Sequence, residues 1–396
     1  MKKLISLMMA LAMCFALLTA CSSGDSGSGD SGSGDSGDSG PVENTGETYT
    51  FNVVNGDSAT SLCETYVETI CNAISEESNG QLKFNYYPGG SMFGATEIPD
   101  AVKDGAADIC WSTTAFFGGV FPISEFMNLP ANGVTCARMG TAVYNTMLQE
   151  IPECAAELED WHVLAAHACT YAPICTTSTK IETPDDFQGL QIRAAGTIPT
   201  MYINALGATA VTMPTSDVYE SLSKSVIQGM ANDWHNIDCF KLYETIDYCL
   251  DTPVNETACF VLMNKAKYDS LPDDLKAIFD KYSESGFMSD MAGYYWDSCN
   301  FWVGDLMEEN GVEIYEPSQE LYDFMNSDEI KAQVHQEYIN YLNDFGIDGQ
   351  AMYDKCIEIV SRFADQYADP YATEFNYTDW DLSTVDGYQA SWLAAE

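Results

Sequence analysis

TYTFNVVNGDSATSLCETYVETICNAISEESNGQLKFNYYP, residues 48–88, sets the fold class of this chain. Its opening TYTFNVVN alternates apolar and polar side chains, the period of a half-buried strand. From Ser58 to Ser78 the period lengthens. Leu62, Tyr66, Thr69/Ile70 and Ala73/Ile74 fall on one face of a helix. Asn79-Gly80 ends that helix, and LKFNYYP (82–88) reads as the next strand. Strand–helix–strand alternation of this kind predicts an α/β domain around a mostly parallel sheet.

The same alternation extends outward. TEIPDAVKDG (96–105) reads as a short helix and ADICWST (107–113) as a strand. WHVLAAHACTYAPICTTS (161–178) reads as one or two strands broken near Pro173. TPDDFQG is a capped helical turn, LQIRAAG a strand, and Pro199 to Ala205 begins a helix that stops at Gly207. ATAVTMP is a strand, followed by a helix capped by Thr215 or Ser216 and carrying Val218, Leu222 and Val226. GMAND and TACFVLMN (257–264) are further strands. Residues 273 to about 309 read as helix almost throughout, either one long brace or shorter helices broken at Gly286, Gly293 and Gly304. GVEIYEP returns as a strand, and helices over roughly 318–346 and 348–367 close the chain.

Before all this lies a targeting segment. Lys2 and Lys3 precede the apolar run LISLMMALAMCFALL, too short for a comfortable bilayer span. Leu18-Thr19-Ala20-Cys21 resembles the bacterial lipobox, which implies cleavage before Cys21 and its lipidation; the alternative is a plain secretory peptide cut after Ala20. Both place the mature chain outside the cytoplasm. GDSGSGDSGSGDSGDSGP (24–41) is a flexible, solvated tether. The expected organisation is a signal peptide over 1–20, lipidated Cys21 and linker over 21–46, and one two-lobed body over 47–396. Lobe 1 is expected at 47–170 and 257–300, lobe 2 at 171–256 and 301–350, with C-terminal helices over 351–396.

Composition narrows the partners. With 60 Asp+Glu against 16 Lys+Arg, the net charge is −44. No basic stripe exists to displace counterions from nucleic acid, and the folded surface is not built to dock on anionic lipid. Yet 46% hydrophobic and 12% aromatic residues describe a globular chain rather than a disordered one. Beyond Cys14 and Cys21, twelve cysteines at irregular spacing and without a CxxC leave disulfides and free thiols equally open. The same irregularity predicts no metal cluster, and no cofactor motif occurs.

A search for catalysis finds no nucleophile–base constellation. GGSMF lacks the second glycine of a GxSxG elbow, and His162, His167, His235 and His335 form no metalloprotease pair. The residue that draws attention is Arg193, a scarce cation inside GLQIRAAG (189–196). An outward-facing or ion-paired arginine is one reading; a clamp for an external anion is the other.

Four segments decide between them by resemblance. TPDDFQGLQIRAAG, NALGATAVTMPTSDVYESLSKSVIQGMANDW and KLYETIDYCLDTP, preceded by YYPGGSMFGATEIPDAVKDGAADIC, are similar in order and spacing to the DctP-type solute-binding proteins of TRAP transporters. The similarity covers roughly residues 48–346. It implies a periplasmic-binding-protein-like α/β clamshell with two lobes and a long bracing helix. It further implies a small organic acid in the cleft, a TRAP membrane permease as partner, no catalysis, and an extracytoplasmic receptor tethered to the membrane by its lipid anchor. Arg193 stands where the family's arginine holds the ligand carboxylate, and Asn232 where its asparagine stands. Asn55, Trp234, Thr113 and Thr215 are the further candidate ligand contacts. An ABC-type binding protein and an extracytoplasmic hydrolase are the alternatives.

Departures from the family pattern shape the ligand. Tyr171-Ala172-Pro173-Ile174 offers no second arginine, and Trp111-Ser112-Thr113-Thr114 stands where sialic-acid binders carry an acidic residue. One cation surrounded by hydroxyls and aromatics favours a ligand with one essential carboxylate and a modest, partly apolar body. A dicarboxylate assisted by Lys224 is not excluded.

Overall fold

The computed structural model describes residues 46–369, 380–390 and 392–393. The signal peptide, Cys21 and the tether lie outside them.

Strands are numbered along the chain. β1 (Tyr49–Val54), β2 (Leu82–Tyr87), β3 (Ile109–Thr113), β4 (Trp161–Ala168) and β10 (Ala258–Asn264) form the first sheet, in the order β2-β1-β3-β10-β4. β5 (Ile174–Thr176), β6 (Gln191–Ala194), β7 (Thr209–Thr212), β8 (Gly229–Ala231), β9 (Tyr248–Leu250) and β11 (Glu313–Tyr315) form the second, in the order β11-β9-β5-β8-β6-β7. Each sheet is the floor of one lobe.

The expected parallel pairing holds for β1 with β2 and β3, and for β6 with β7 and β8. It fails at β10, antiparallel to both β3 and β4, and at β5, antiparallel to both β8 and β9. The reason is connection length. A parallel neighbour needs a crossover of a dozen or more residues, usually through a helix. β5 and β10 instead enter directly from the other sheet, along the short segments between Ala168 and Ile174 and between Leu250 and Ala258. Sequence reading missed β9, three residues without a usable period.

The opening helix runs Leu62–Glu77. Ser61 caps it by accepting the Glu64 N–H, and Leu62, Tyr66, Ile70 and Ile74 face the core. Asn79 and Gly80, at φ 51° and 73°, turn the chain back into β2.

The long helical stretch is broken once. Gly286 adopts φ +76° between Asp273–Ser283 and Phe287–Glu309, and a β-carbon there would sit 2.6 Å from Ala390 Cβ. Gly293 and Gly304 stay inside the second helix. Gly293 lets that helix approach Arg138, where a β-carbon would lie 3.1 Å from the Arg138 Cα.

Phe287–Glu309 is the brace. Toward the first lobe, its Met288 carbonyl accepts the Tyr66 hydroxyl at 2.9 Å, and Ser289 Oγ accepts the Ala166 N–H at 3.2 Å. Toward the second, it packs against the helix Trp234–Cys239 and β11. Trp296, fully buried, stacks on Trp111 at 5.6 Å and meets His235 edge-on at 5.7 Å. One indole thus touches residues carried by both sheets.

All twelve cysteines of the folded part are free thiols, eleven of them buried. Cys175 and Cys249 are directly opposed across β5 and β9.

The brace region also buries Glu256, whose Oε1 finds no partner. Burial first, then the nearby Asp297 charge, pushes its carboxyl up to about 8. Folding therefore takes up a proton here between the ordinary glutamate value of 4.5 and about 8, so stability falls as pH rises through that window. Glu256→Gln removes the titration. Thermal unfolding from about pH 5 to about pH 9 is expected to show the variant gaining on the wild type with each rise in pH. Parallel pH profiles for the two chains would contradict this assignment.

Candidate functional site

A small cavity of about 50 Å³ lies between the two sheets. From the first come Asp57, Trp111, Thr113 and Ala115; from the second, Arg193, Thr215, Asn232 and Asp233. Asn255 and Thr257, on the segment crossing into β10, close its floor. Ala115 is shared with a wider groove of about 600 Å³ that runs along Gly196, Thr200 and Met213. The lobes meet tightly beside it, since a β-carbon on Gly196 would lie 2.7 Å from the Ala115 carbonyl oxygen.

Arg193 is the second-largest fully buried side chain, 1% exposed. Its strand β6 lies second from the sheet edge, between β8 and β7, and the guanidinium reaches groups just past the ends of both neighbours. Nε donates to the Met213 carbonyl at 3.3 Å. One terminal nitrogen donates to the Ala231 carbonyl at 3.3 Å and to Asn232 Oδ1 at 2.8 Å; the other donates to Thr215 Oγ1 at 3.1 Å. Every one of these acceptors is neutral. Burial pulls the group down to about 10, with Asp233 opposing, so it keeps its charge near neutral pH.

Asn232 has its orientation forced. Arginine only donates, so the amide oxygen must face it and the NH₂ must turn elsewhere. That Nδ2 is buried and has no partner. A buried cation that has Asp233 nearby but makes no direct ion pair stands beside an orphaned donor, both at the cavity wall. Each is costly left alone, and both are satisfied by an anionic acceptor.

The remaining wall sorts by chemistry. Trp111 spends its N–H on His167 Nε2 at 2.9 Å and lines the cavity with the indole. Burial pulls His167 down to about 3, so it accepts that bond as a neutral ring. Thr113 donates to the Ala258 carbonyl, joining β3 to β10. Asp57 and Asp233 add carboxylate groups to the wall. Burial raises the Asp233 carboxyl, although His235 and the Asn236 amides act against it.

Of the residues singled out in the sequence, Arg193, Asn232, Thr113 and Thr215 come together at this cavity. Asn55 and Trp234 do not line it. Asn55 is 2% exposed and donates to Glu64 Oε2 at 2.9 Å, while its Oδ1 accepts the Asp57 N–H at 2.9 Å. It shapes the turn that presents Asp57. Trp234 begins a helix capped by Asp233 and turns into the core, edge-on to Tyr171 at 6.0 Å. Lys224 is exposed and ion-paired to Glu220, away from the cavity. Asp57, Asn236, Asn255 and Thr257 were not foreseen; polar residues after strands were the only signal, and an acidic chain offers many.

The model for bacterial extracellular solute-binding proteins, family 7 (DctP), matches residues 53–340. The chain is 22% identical over 215 residues to the 2,3-diketo-L-gulonate-binding periplasmic protein YiaO of Escherichia coli K12, covering 54% of this chain and 65% of that one. It is 30% identical over 109 residues to the C4-dicarboxylate-binding periplasmic protein DctP of Rhodobacter capsulatus, covering 27% of this chain and 33% of that one. The matched segments thus span less than two thirds of either relative. Among solved structures, similarity is fuller. A marine-metagenome TRAP solute-binding protein described as specific for aromatic acid ligands, in complex with 3-hydroxybenzoate, superposes with TM-score 0.75 at 26% identity, covering 80% of this chain and 99% of that one. A TRAP solute-binding protein from Rhodoferax ferrireducens T118, in complex with benzoate, superposes at 0.73 with 25% identity, covering 81% and 100%. These matches set the fold and the motif order apart from the ABC-type alternative. The chain belongs to the DctP family of bacterial extracellular solute-binding proteins, the TRAP-transporter type.

Proposed function

We propose that this chain is an extracytoplasmic receptor that closes on a small organic acid and delivers it to a TRAP-type membrane permease. Buried Arg193, in no direct ion pair and beside the orphaned Asn232 amide, carries this reading. A guanidinium and a carboxylate match as planar forks, and in a dry cleft the pair is far stronger than at a surface. Cleavage before Cys21 and acylation of its thiol would hold the receptor at the outer face of the membrane, the acidic tether giving it reach. Closure rotates the lobes about the crossings near 169–173 and 251–257, with the Phe287–Glu309 helix as spine. On this reading the receptor releases its ligand chemically unchanged.

The walls support a ligand class. Arg193, Asn232 and Thr215 receive one carboxylate; Trp111 and Ala172 accept a flat or apolar body; Asp57 and Asp233 offer acceptors for hydroxyl or amine groups. Aromatic acids bound by two of the similar structures fit that description. A thermal-shift panel of organic acids tests it. A ligand at about 100 times its Kd adds about 2.7 kcal/mol to the folded state, so a hydroxylated aromatic monocarboxylate is expected to raise Tm clearly. The corresponding amide, without the charge, is expected to leave it unmoved. Equal shifts for acid and amide, or none across the panel, would remove the reading.

A further inference from the structure

Beside the cavity, three side chains with metal-binding atoms, Asp57, His235 and Cys239, converge, and Cys63 bonds the first of them. Asp57 follows β1, and Cys63 begins the helix after it. His235 and Cys239 lie four residues apart, hence on one face of the helix Trp234–Cys239. Asp57 Oδ2 stands 3.2 Å from His235 Nε2 and 3.2 Å from Cys63 Sγ. Asp57, His235 and Cys239 each offer a donor atom within 4.8 Å of the other two. We propose that these residues form a binding site for one zinc-class divalent cation, ligated by Asp57, His235 and Cys239, with Cys63 as the fourth ligand.

The donor set selects the metal. Two thiols, an imidazole and one carboxylate are the ligands of tetrahedral Zn²⁺, whereas Ca²⁺ and Mg²⁺ ask for six or more oxygens. Bond lengths of about 2.0–2.3 Å place tetrahedral ligand atoms roughly 3.3–3.8 Å apart. The observed 3.2 Å pairs are already near that, and Cys239 offers its sulfur within 4.8 Å of Asp57 and His235. The packing around them is suitable. Trp296 lies edge-on to the imidazole at 5.7 Å, and the Asp57 backbone N–H is held by Asn55 Oδ1 at 2.9 Å. Such outer contacts fix the orientation of ligating groups. An acid–imidazole pair between lobes needs neither thiol; here Cys63 bonds the same carboxylate oxygen, and Cys239 stands within 4.8 Å of both partners.

Position gives the site a consequence. Asp57 and Cys63 belong to the first lobe's sheet and helix, His235 and Cys239 to the second lobe, so the ion pins one to the other. On the receptor reading proposed above, it favours the closed form and raises affinity for the organic acid, with the reciprocal effect on metal affinity.

The test uses the intact, reduced, chelator-treated chain without any organic acid, so its result is independent of the ligand panel. Co²⁺ is titrated in as the spectroscopic stand-in for Zn²⁺. Expected are thiolate-to-cobalt charge transfer and the visible bands of tetrahedral Co²⁺, saturating at about one ion per chain. Zn²⁺ abolishes these bands, and Ca²⁺ or Mg²⁺ in excess does not. Cys239→Ser and His235→Gln, each checked for native circular dichroism, are expected to weaken Zn²⁺ binding at least about tenfold; Cys63→Ser shifts the spectrum to fewer thiolates. Absence of thiolate charge transfer in the wild type overturns the site. So does a spectrum that survives His235→Gln and Cys239→Ser, since the ion then sits elsewhere.

Discussion

Alanine at Arg193 is expected to weaken binding of the organic acid by about 2–5 kcal/mol, roughly thirtyfold or more. The loss has two parts. The carboxylate forfeits its charged partner, and it remains in a cavity whose other polar groups are neutral amides and hydroxyls and two acidic side chains. Lysine at the same place keeps a charge but replaces a planar fork by a point donor, and it cannot serve Met213, Asn232 and Thr215 together as the guanidinium does. At least a tenfold loss is expected there as well. The ligand-free protein should behave differently. Arg193→Ala removes hydrogen bonds but also a buried charge held in no direct ion pair, and these effects oppose one another. The apo Tm is therefore expected to move by a few degrees at most. Calorimetric titration and melting of both variants separate the cases: near-wild-type affinity would end the clamp assignment, and collapse of the apo fold would make Arg193 structural.

The second large effect concerns the brace. Asp297, wholly buried on the Phe287–Glu309 helix, accepts the Ala137 N–H at 2.6 Å, the Arg138 N–H at 3.2 Å and Arg138 Nε at 2.7 Å. It caps the N-terminus of the helix Ala137–Glu150 from another part of the chain, where a negative group also meets the helix dipole. Burial raises its carboxyl, and the Arg138 charge with three hydrogen bonds works to lower it. Asp297→Ala removes the acceptor used by two backbone donors and by Arg138 Nε. A cost of about 3–5 kcal/mol is expected, the scale for removing one partner of a buried pair. Asp297→Asn retains one acceptor and should cost less. Denaturant unfolding measures both; an alanine variant within about 1 kcal/mol of wild type would show the cap to be dispensable.

How much of this was legible in sequence depends on distance along the chain. The helix Leu62–Glu77 and its cap, the turn at Asn79-Gly80, and β1, β2, β3, β6 and β7 all follow from residues within a few positions of one another. Arg193 stood out because cations are scarce and its strand apolar, and the resemblance in segment order assigned it a partner. Asn55 and Trp234 show the limit. Both occupy suggestive places after strands, yet a capped turn and a short helix rotate their side chains away from the cavity.

Sequence by itself therefore determined the class of fold, and it singled out Arg193 as the candidate partner for an acid. Tertiary structure alone decided the reversed strands β5 and β10, the break at Gly286, and the convergence of Asp57 with His235 from 178 residues away. The division has a physical cause. Periodicity and capping report interactions among near neighbours, whereas strand direction, cavity walls and clustered donors depend on which distant surfaces are buried together.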